Sequence, residues 1–119
     1  MRAVYVGKSH NNDLSHGKSY SVHAISVWRG VSHLQVVSDY DTIAWVTANF
    51  FQVVDGSIPE DWVVLLPETS ELVLVVGPKF LAGSVDCYNN MVNQDPESVR
   101  NFWLRVRDRR TDDNIDGQE

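Results

Sequence analysis

The sequence predicts a mainly β protein of the α+β class: a small antiparallel SH3-like barrel or strongly bent sheet, followed by a C-terminal helix. Between residues 18 and 77, short apolar and β-branched runs alternate with turn-forming residues, a pattern typical of antiparallel strands. Asp95-Pro96-Glu97 is a helix-start signal, and the 119 residues suffice for one core without disulfides. We expect one globular domain at 1–110, β-rich over 1–77 and helical over 78–110, and a disordered tail at 111–119.

The first predicted strand covers residues 18–28. Its first half has a period of two, with one alternate set apolar and the other polar, as in a half-buried strand: Tyr20, Val22 and Ala24 against Ser19, Ser21 and His23. Arg29-Gly30 is the predicted turn into a second strand at 32–38. Asp39-Tyr40-Asp41 turns the chain into a third strand at 42–46, because aspartate side chains bond to nearby backbone amides. A short helical turn at 47–50 leads to a strand at 51–54.

Two further strands are predicted at 62–66 and 72–76, joined as a hairpin by 67–71. Both are apolar at nearly every position, whereas a strand with one face in water should alternate. These strands must therefore be covered on both faces or contact a partner. We expect the C-terminal helix to provide the cover.

The C-terminal third is predicted to be helical, with one or two short helices within 79–92 before the main one. Asp95 can cap the first amides of the main helix, and Pro96 suits the first helical position. Apolar side chains then recur at helical spacing and form one stripe: Val99, Phe102, Trp103 and Val106. Beyond residue 110 the chain is polar, and this composition indicates disorder.

The net charge of −6 comes entirely from the β-rich part of the chain. Residues 1–98 hold five basic and eleven acidic side chains, whereas 99–119 hold five of each. Such a surface repels nucleic acid and attracts basic proteins. The single cysteine, Cys87, and the lack of a signal-like or membrane-spanning apolar run favour a cytoplasmic protein that does not bind membranes.

No motif for catalysis or cofactor binding stands out. The sequence lacks the Gly-x-Ser-x-Gly elbow and the glycine-rich phosphate and dinucleotide loops. His23 and His33 lie on neighbouring predicted strands and could face each other, but no third ligand or orienting carboxylate is marked by its spacing. We therefore expect no enzyme activity, no catalytic residue, no metal site and no cofactor.

The remaining candidates for a functional site are acidic and aromatic side chains near predicted turns. They are the natural first contacts for a basic protein partner. Trp28 and Tyr40, beside turns, are the aromatic residues expected to be exposed. The full set of predicted partner-binding residues is Asp39, Asp41, Asp55, Glu60, Asp61, Glu68, Glu71, Trp28 and Tyr40.

The chain also resembles a family of small bacterial and phage-associated proteins. The resemblance is carried by residues 17–25, by Asp39 to Trp45 and by 48–62, in the pattern Gly-Lys-x-Tyr-x-Val, Trp, Phe-x-Val-Val-Asp, Pro-x-x-Trp. Asp95-Pro96-Glu97 and Phe102 match its C-terminal segment. These motifs are structural, so they imply a fold and no functional residue. Some proteins of this style are immunity proteins beside polymorphic or contact-dependent toxins.

These observations lead to two functional hypotheses. The first is an immunity protein that binds and inhibits one cognate bacterial toxin, a basic nuclease domain. The second is a phage or mobile-element regulator that binds a host protein through an SH3-like groove or an exposed strand edge. In that second case the strand at 72–76 could pair with a partner strand or form a homodimer.

Overall fold

The computed structural model describes residues 1–9, 11–69 and 71–117, with side chains as far as residue 108. The described residues form two antiparallel sheets and three α-helices. The three-stranded sheet has the order β2-β1-β6 and the five-stranded sheet the order β5-β4-β3-β8-β7. The elements are β1 (Arg2–Tyr5), β2 (Ser19–Ser21), β3 (Ala24–Trp28), β4 (Val31–Val37), β5 (Ile43–Thr47), β6 (Phe51–Asp55), β7 (Trp62–Leu65), β8 (Leu72–Pro78), α1 (Lys79–Ala82), α2 (Val85–Val92) and α3 (Pro96–Gly117).

The tight β3–β4 turn fixes the register at the centre of the larger sheet. Trp28 pairs with Val31, so only Arg29 and Gly30 form the loop, with φ of 50° and 75°. Two positive φ values are what a two-residue hairpin needs to match the twist of its strands, and glycine adopts them without strain. The predicted turn and the predicted strand after it are confirmed, whereas the strand predicted before it is confirmed only over its second half.

The strand predicted at 18–28 is broken in two, and its halves belong to different sheets. β2 pairs with β1 in the small sheet, whereas β3 pairs with β4 and β8 in the large one. The bend lies at Val22-His23. Val22 joins the core cluster of the small sheet and Ala24 joins the other cluster, although residues two apart in a straight strand would share a face.

Two hydrophobic clusters lie on opposite faces of the large sheet. The first lies between the sheets and is built from Ala3, Tyr5, Leu14, Tyr20, Val22, Leu34, Val36 and Val46. The second lies between the large sheet and the helices and is built from Ala24, Leu72, Val75, Leu81, Ala82, Met91, Phe102 and Val106. The molecule therefore has three layers, with the large sheet in the middle.

The main helix follows its predicted start signal, and the short helices α1 and α2 lie in the predicted region 79–92. The Ser84 side chain accepts a hydrogen bond from the Cys87 amide at 3.1 Å and caps α2. α3 begins at Pro96, as predicted, and buries Phe102 and Val106. Among the described residues, no helix is long and apolar enough to cross a bilayer.

The structure differs from the expected strands in two ways. β1 was not predicted, because a strand of four residues offers too short a pattern. The strand pairings form two separate sheets, and a closed SH3-like barrel is not confirmed. α3 is described as far as Gly117, and residues 118–119 lie outside the described residues; a disordered tail at 111–119 stays a prediction.

Candidate functional site

β7 is an edge strand of the large sheet. It pairs with β8, from Trp62 opposite Pro78 to Leu65 opposite Val75, and with no other strand among the described residues. β8 itself lies between β3 and β7 and is paired on both sides. The expectation that 72–76 offers a free edge for a partner or a homodimer is therefore wrong, because the hairpin places β7 outside it.

The two faces of the β7–β8 hairpin have different surroundings. On one face, Val63 and Leu65 pack against the second cluster, to which α1 contributes as well as α3. On the other face, Val64 and Leu66 are 63% and 71% exposed. Cover by the helices is thus confirmed for one face only. We call the second face the open face and define it by Val64, Leu66 and the half-buried Leu74 and Val76.

Acidic residues stand at both ends of β7. Glu60 and Asp61 precede the strand, and Glu68 and Glu71 follow it in the connection to β8. Asp61 forms a two-pronged ion pair with Arg105 of α3, and Glu71 accepts from the Arg29 guanidinium at 3.0 Å. Glu60 and Glu68 are exposed and have no ion-pair partner among the described residues. The ends of the open face therefore carry negative charge that can meet a basic partner.

Asp39, by contrast, forms hydrogen bonds within the protein itself. Its carboxylate accepts hydrogen bonds from Lys18 Nζ at 2.7 Å, Ser15 Oγ at 2.6 Å and Tyr20 OH at 2.8 Å. The bond from Lys18, followed by that from Ser15, lowers the pKa of Asp39 to about 2. This network ties the β4–β5 turn to the loop before β2.

The other residues predicted at this turn and after β6 are turn formers. Asp41 has a φ of 58°, and Tyr40 beside it is 68% exposed. Asp55 accepts hydrogen bonds from the Ser57 hydroxyl at 2.6 Å and the Ser57 amide at 2.9 Å, and these bonds lower its pKa. Their role in binding stays a prediction.

Trp28 and Tyr40 are both exposed, as predicted, but the structure places them apart. Trp28 pairs with Val31 at the start of β4, whereas Tyr40 follows the end of that strand. Trp28 lines a cleft of about 280 Å³ with Trp45 and Tyr88, and the Arg29 guanidinium lies 4.3 Å from the Trp28 ring. A groove that uses both predicted aromatic residues is therefore not formed.

His23 and His33 do not form a pair. His23 is buried, with its ring edge-on to Phe102 at 5.1 Å, because the bend after β2 turns it towards α3. His33 directs its ring Nδ1 to the Val31 carbonyl at 3.0 Å. His23 also lines a cleft of about 220 Å³ with Asp39, but the carboxylate of Asp39 is already held by three donors. No group of three metal-ligating side chains occurs among the described residues, and His10 lies outside them.

Comparison of the chain with protein-family models, with curated proteins and with solved structures finds no match. The arguments about function therefore rest on the geometry of the molecule itself. Its most distinctive surface is the open face beside the free edge of β7, with acidic residues at both ends. Sequence reasoning found the acidic residues and the unusual apolarity of the hairpin, but it did not identify which strand is the edge.

Proposed function

We propose that this protein binds and neutralises a basic protein partner, as an immunity protein that inhibits a cognate bacterial toxin with a basic nuclease domain. One observation carries the proposal: an exposed apolar surface, Val64 and Leu66, lies between two acidic ends, Glu60-Asp61 and Glu68 with Glu71. An apolar patch rimmed by polar residues is typical of a protein-binding surface.

The two parts of this surface have separate physical roles. Acidic side chains attract a basic partner over the Debye length and raise the association rate. Val64 and Leu66 then leave water on binding, and their burial slows dissociation. An inhibitor needs both, because it must reach its toxin quickly and remain bound.

The proposal is of a cytoplasmic binding protein that has no catalytic residue and needs no cofactor, metal, membrane or nucleic acid. The proposal also includes an SH3-like arrangement of the strands. Three features support this arrangement: the continuous chain from β2 to β3 that contributes a strand to each sheet, the 3₁₀ turn Ala48–Phe50 before β6, and the pairing of β6 with β1.

The test begins with affinity capture of the tagged protein from native lysate at low and then high salt. The captured protein is then purified and its association rate measured against a charge-reversed variant, Glu60→Lys with Glu68→Lys. We expect one basic protein, bound stoichiometrically, whose association rate falls at least about tenfold with the variant. The expected partner is toxic when expressed alone and harmless when co-expressed with this protein.

The matched control is Asp86→Lys with Glu97→Lys, which reverses two exposed acidic residues in the first turns of α2 and α3. It changes the net charge equally but leaves the ends of β7 intact, so it should alter the association rate far less. Equal decreases in association rate for both variants would mean that net charge alone accounts for the effect. Unchanged binding by the β7 variant would contradict the proposed surface.

A second candidate, a phage or mobile-element regulator of a host protein, is favoured by the free edge of β7. The free edge of β7 takes the place of the edge that the sequence predicted at 72–76. A captured partner that is not toxic, and whose own activity changes on binding, would select this alternative over the immunity protein.

A further inference from the structure

We infer that the partner supplies an extended segment that pairs with β7 as a sixth strand of the large sheet. This inference rests on the proposed function and specifies its partner: the segment has alternate apolar residues at its centre and basic residues at both ends. The occupant is thus a strand of another protein, not a folded surface laid over β7.

The backbone of β7 is available for this pairing. Among the described residues, β7 forms its strand pairing with β8. The Trp62 amide also donates a hydrogen bond to the Pro59 carbonyl at 3.1 Å, within the turn that precedes the strand. An edge strand presents unpaired N–H and C=O groups to the outside. Natural edges are usually protected by lysine or proline, yet residues 62–65 contain only apolar side chains.

The open face determines which side chains of the segment matter. Side chains alternate across a sheet, so every second residue of an added strand would stand beside Val64 and Leu66. Apolar residues at these positions would bury both. Residues of the opposite set would lie over the helix side of β7, where Val63 and Leu65 are already packed.

The acidic ends determine the flanking residues. Glu60 and Asp61 lie at the start of β7, and Glu68 lies just beyond its end. A segment paired along β7 would bring its own flanking residues close to these carboxylates. Basic residues there are attracted, whereas acidic residues would be repelled.

The same charges disfavour a second copy of this chain as the occupant. Antiparallel self-pairing centred on Val64 places Glu60 of each copy opposite Glu68 of the other, and parallel self-pairing places each acidic residue opposite its own equivalent. Either arrangement sets like charges across a strand pair, which is destabilising. Charge complementarity therefore selects a basic partner strand.

The test uses the full chain and a labelled nine-residue peptide, with two lysines at each end and alternating valine and threonine between them. Two further peptides carry backbone N-methyl groups on alternate central residues, one on the odd and one on the even set. In a strand pair only every second amide points to the neighbouring strand. We expect the unmodified peptide to bind, one methylated peptide to bind at least about tenfold more weakly, and the other to bind within about twofold.

A pair of variants locates the binding. Val64→Lys places a charge on the open face and should abolish peptide binding. The control Val54→Lys changes a valine of similar exposure, 58%, on β6, an edge strand of the small sheet, and should leave binding intact. Hydrogen exchange should slow at the amides of β7 when the unmodified peptide is bound.

The outcomes separate this inference from the proposed function. Equal binding of the two methylated peptides, no binding of the unmodified peptide, or equal effects of the two valine variants would each overturn strand addition. If salt-sensitive capture of a basic protein persists in those cases, the proposed function stands. If strand addition holds but the captured partner is neither toxic nor basic, the immunity role fails alone.

Discussion

β4 and β7 belong to the same sheet and each carries valine side chains, yet the surroundings of those valines are opposite. β4 is paired with β3 and β5, and over residues 34–36 both of its faces are covered, with Val36 fully buried against the first cluster. β7 is paired on one side, and Val64 on its open face is mostly exposed. A valine thus packs in the core in β4 and, by our proposal, contacts a partner in β7.

For Val36 and Val64 the difference in exposure is set by the position of the strand in the sheet, since the side chain is the same. An apolar strand at the centre gains stability from burial, whereas at the edge it retains surface that only another molecule can bury. Substitutions of the buried valine and leucine residues of β4 should therefore reduce folding stability, and substitutions on the open face of β7 should reduce binding.

The largest expected effect comes from placing a charge in each strand. Val36→Asp buries an unpaired carboxylate and should cost more than about 4 kcal/mol, enough to prevent folding. Val64→Asp should change the free energy of unfolding by less than about 1 kcal/mol, since its side chain stays in water. Urea unfolding followed by circular dichroism compares the two, and similar losses would contradict the contrast.

Carboxylates offer a second comparison, between a structural and an exposed one. Asp39→Asn weakens three hydrogen bonds and should cost about 1–2 kcal/mol, whereas Glu68→Gln should have almost no effect on stability. The pKa of Asp39 is about 2 when folded, below the usual 3.8. Its contribution is therefore full above about pH 4 and is lost as the pH falls towards 2.

Unfolding midpoints of the wild type and Asp39→Asn across this pH range check the sign. The difference in stability should shrink as the pH falls from 4 to 2. A constant difference would mean that the side chain acts through packing and not through its charge.

The smallest expected effect is a gain in stability within β4. Gln35 is fully buried, and neither polar atom of its side chain has a hydrogen-bond partner among the described residues. Gln35→Leu keeps a similar volume, removes this desolvation cost and should raise the free energy of unfolding by about 1 kcal/mol. Gln52→Leu, at an exposed position of β6, is the matched control and should change it by less than about 0.5 kcal/mol. A loss of stability in Gln35→Leu would indicate that the amide has a bound water.

The sequence predicted the elements whose signals are local. The Arg29-Gly30 turn, the strand after it and the start of α3 at Pro96 depend on neighbouring residues and were located correctly. The bend at Val22-His23 was missed because the polar–apolar alternation continues through it. His23 was consequently assigned to a polar face, although it packs against Phe102.

The position of the site could be predicted only in part. The acidic residues near β7 and the excess apolarity of its hairpin are visible in the sequence. The order β3-β8-β7 is not, because it depends on pairing between residues far apart in the chain, such as Val27 with Leu74. The ion pairs of Asp39 with Lys18 and of Asp61 with Arg105 could not be predicted for the same reason.

Because the chain passes from β2 directly into β3, the two sheets are coupled mechanically. Tyr20 and Ile25 are held in different sheets but stand on one short stretch of backbone. Neither sheet can open far without pulling on the other, so the molecule unfolds as one cooperative unit. A strand that docks on β7 would then slow amide exchange in β1 and β2 as well, in a sheet to which β7 does not belong.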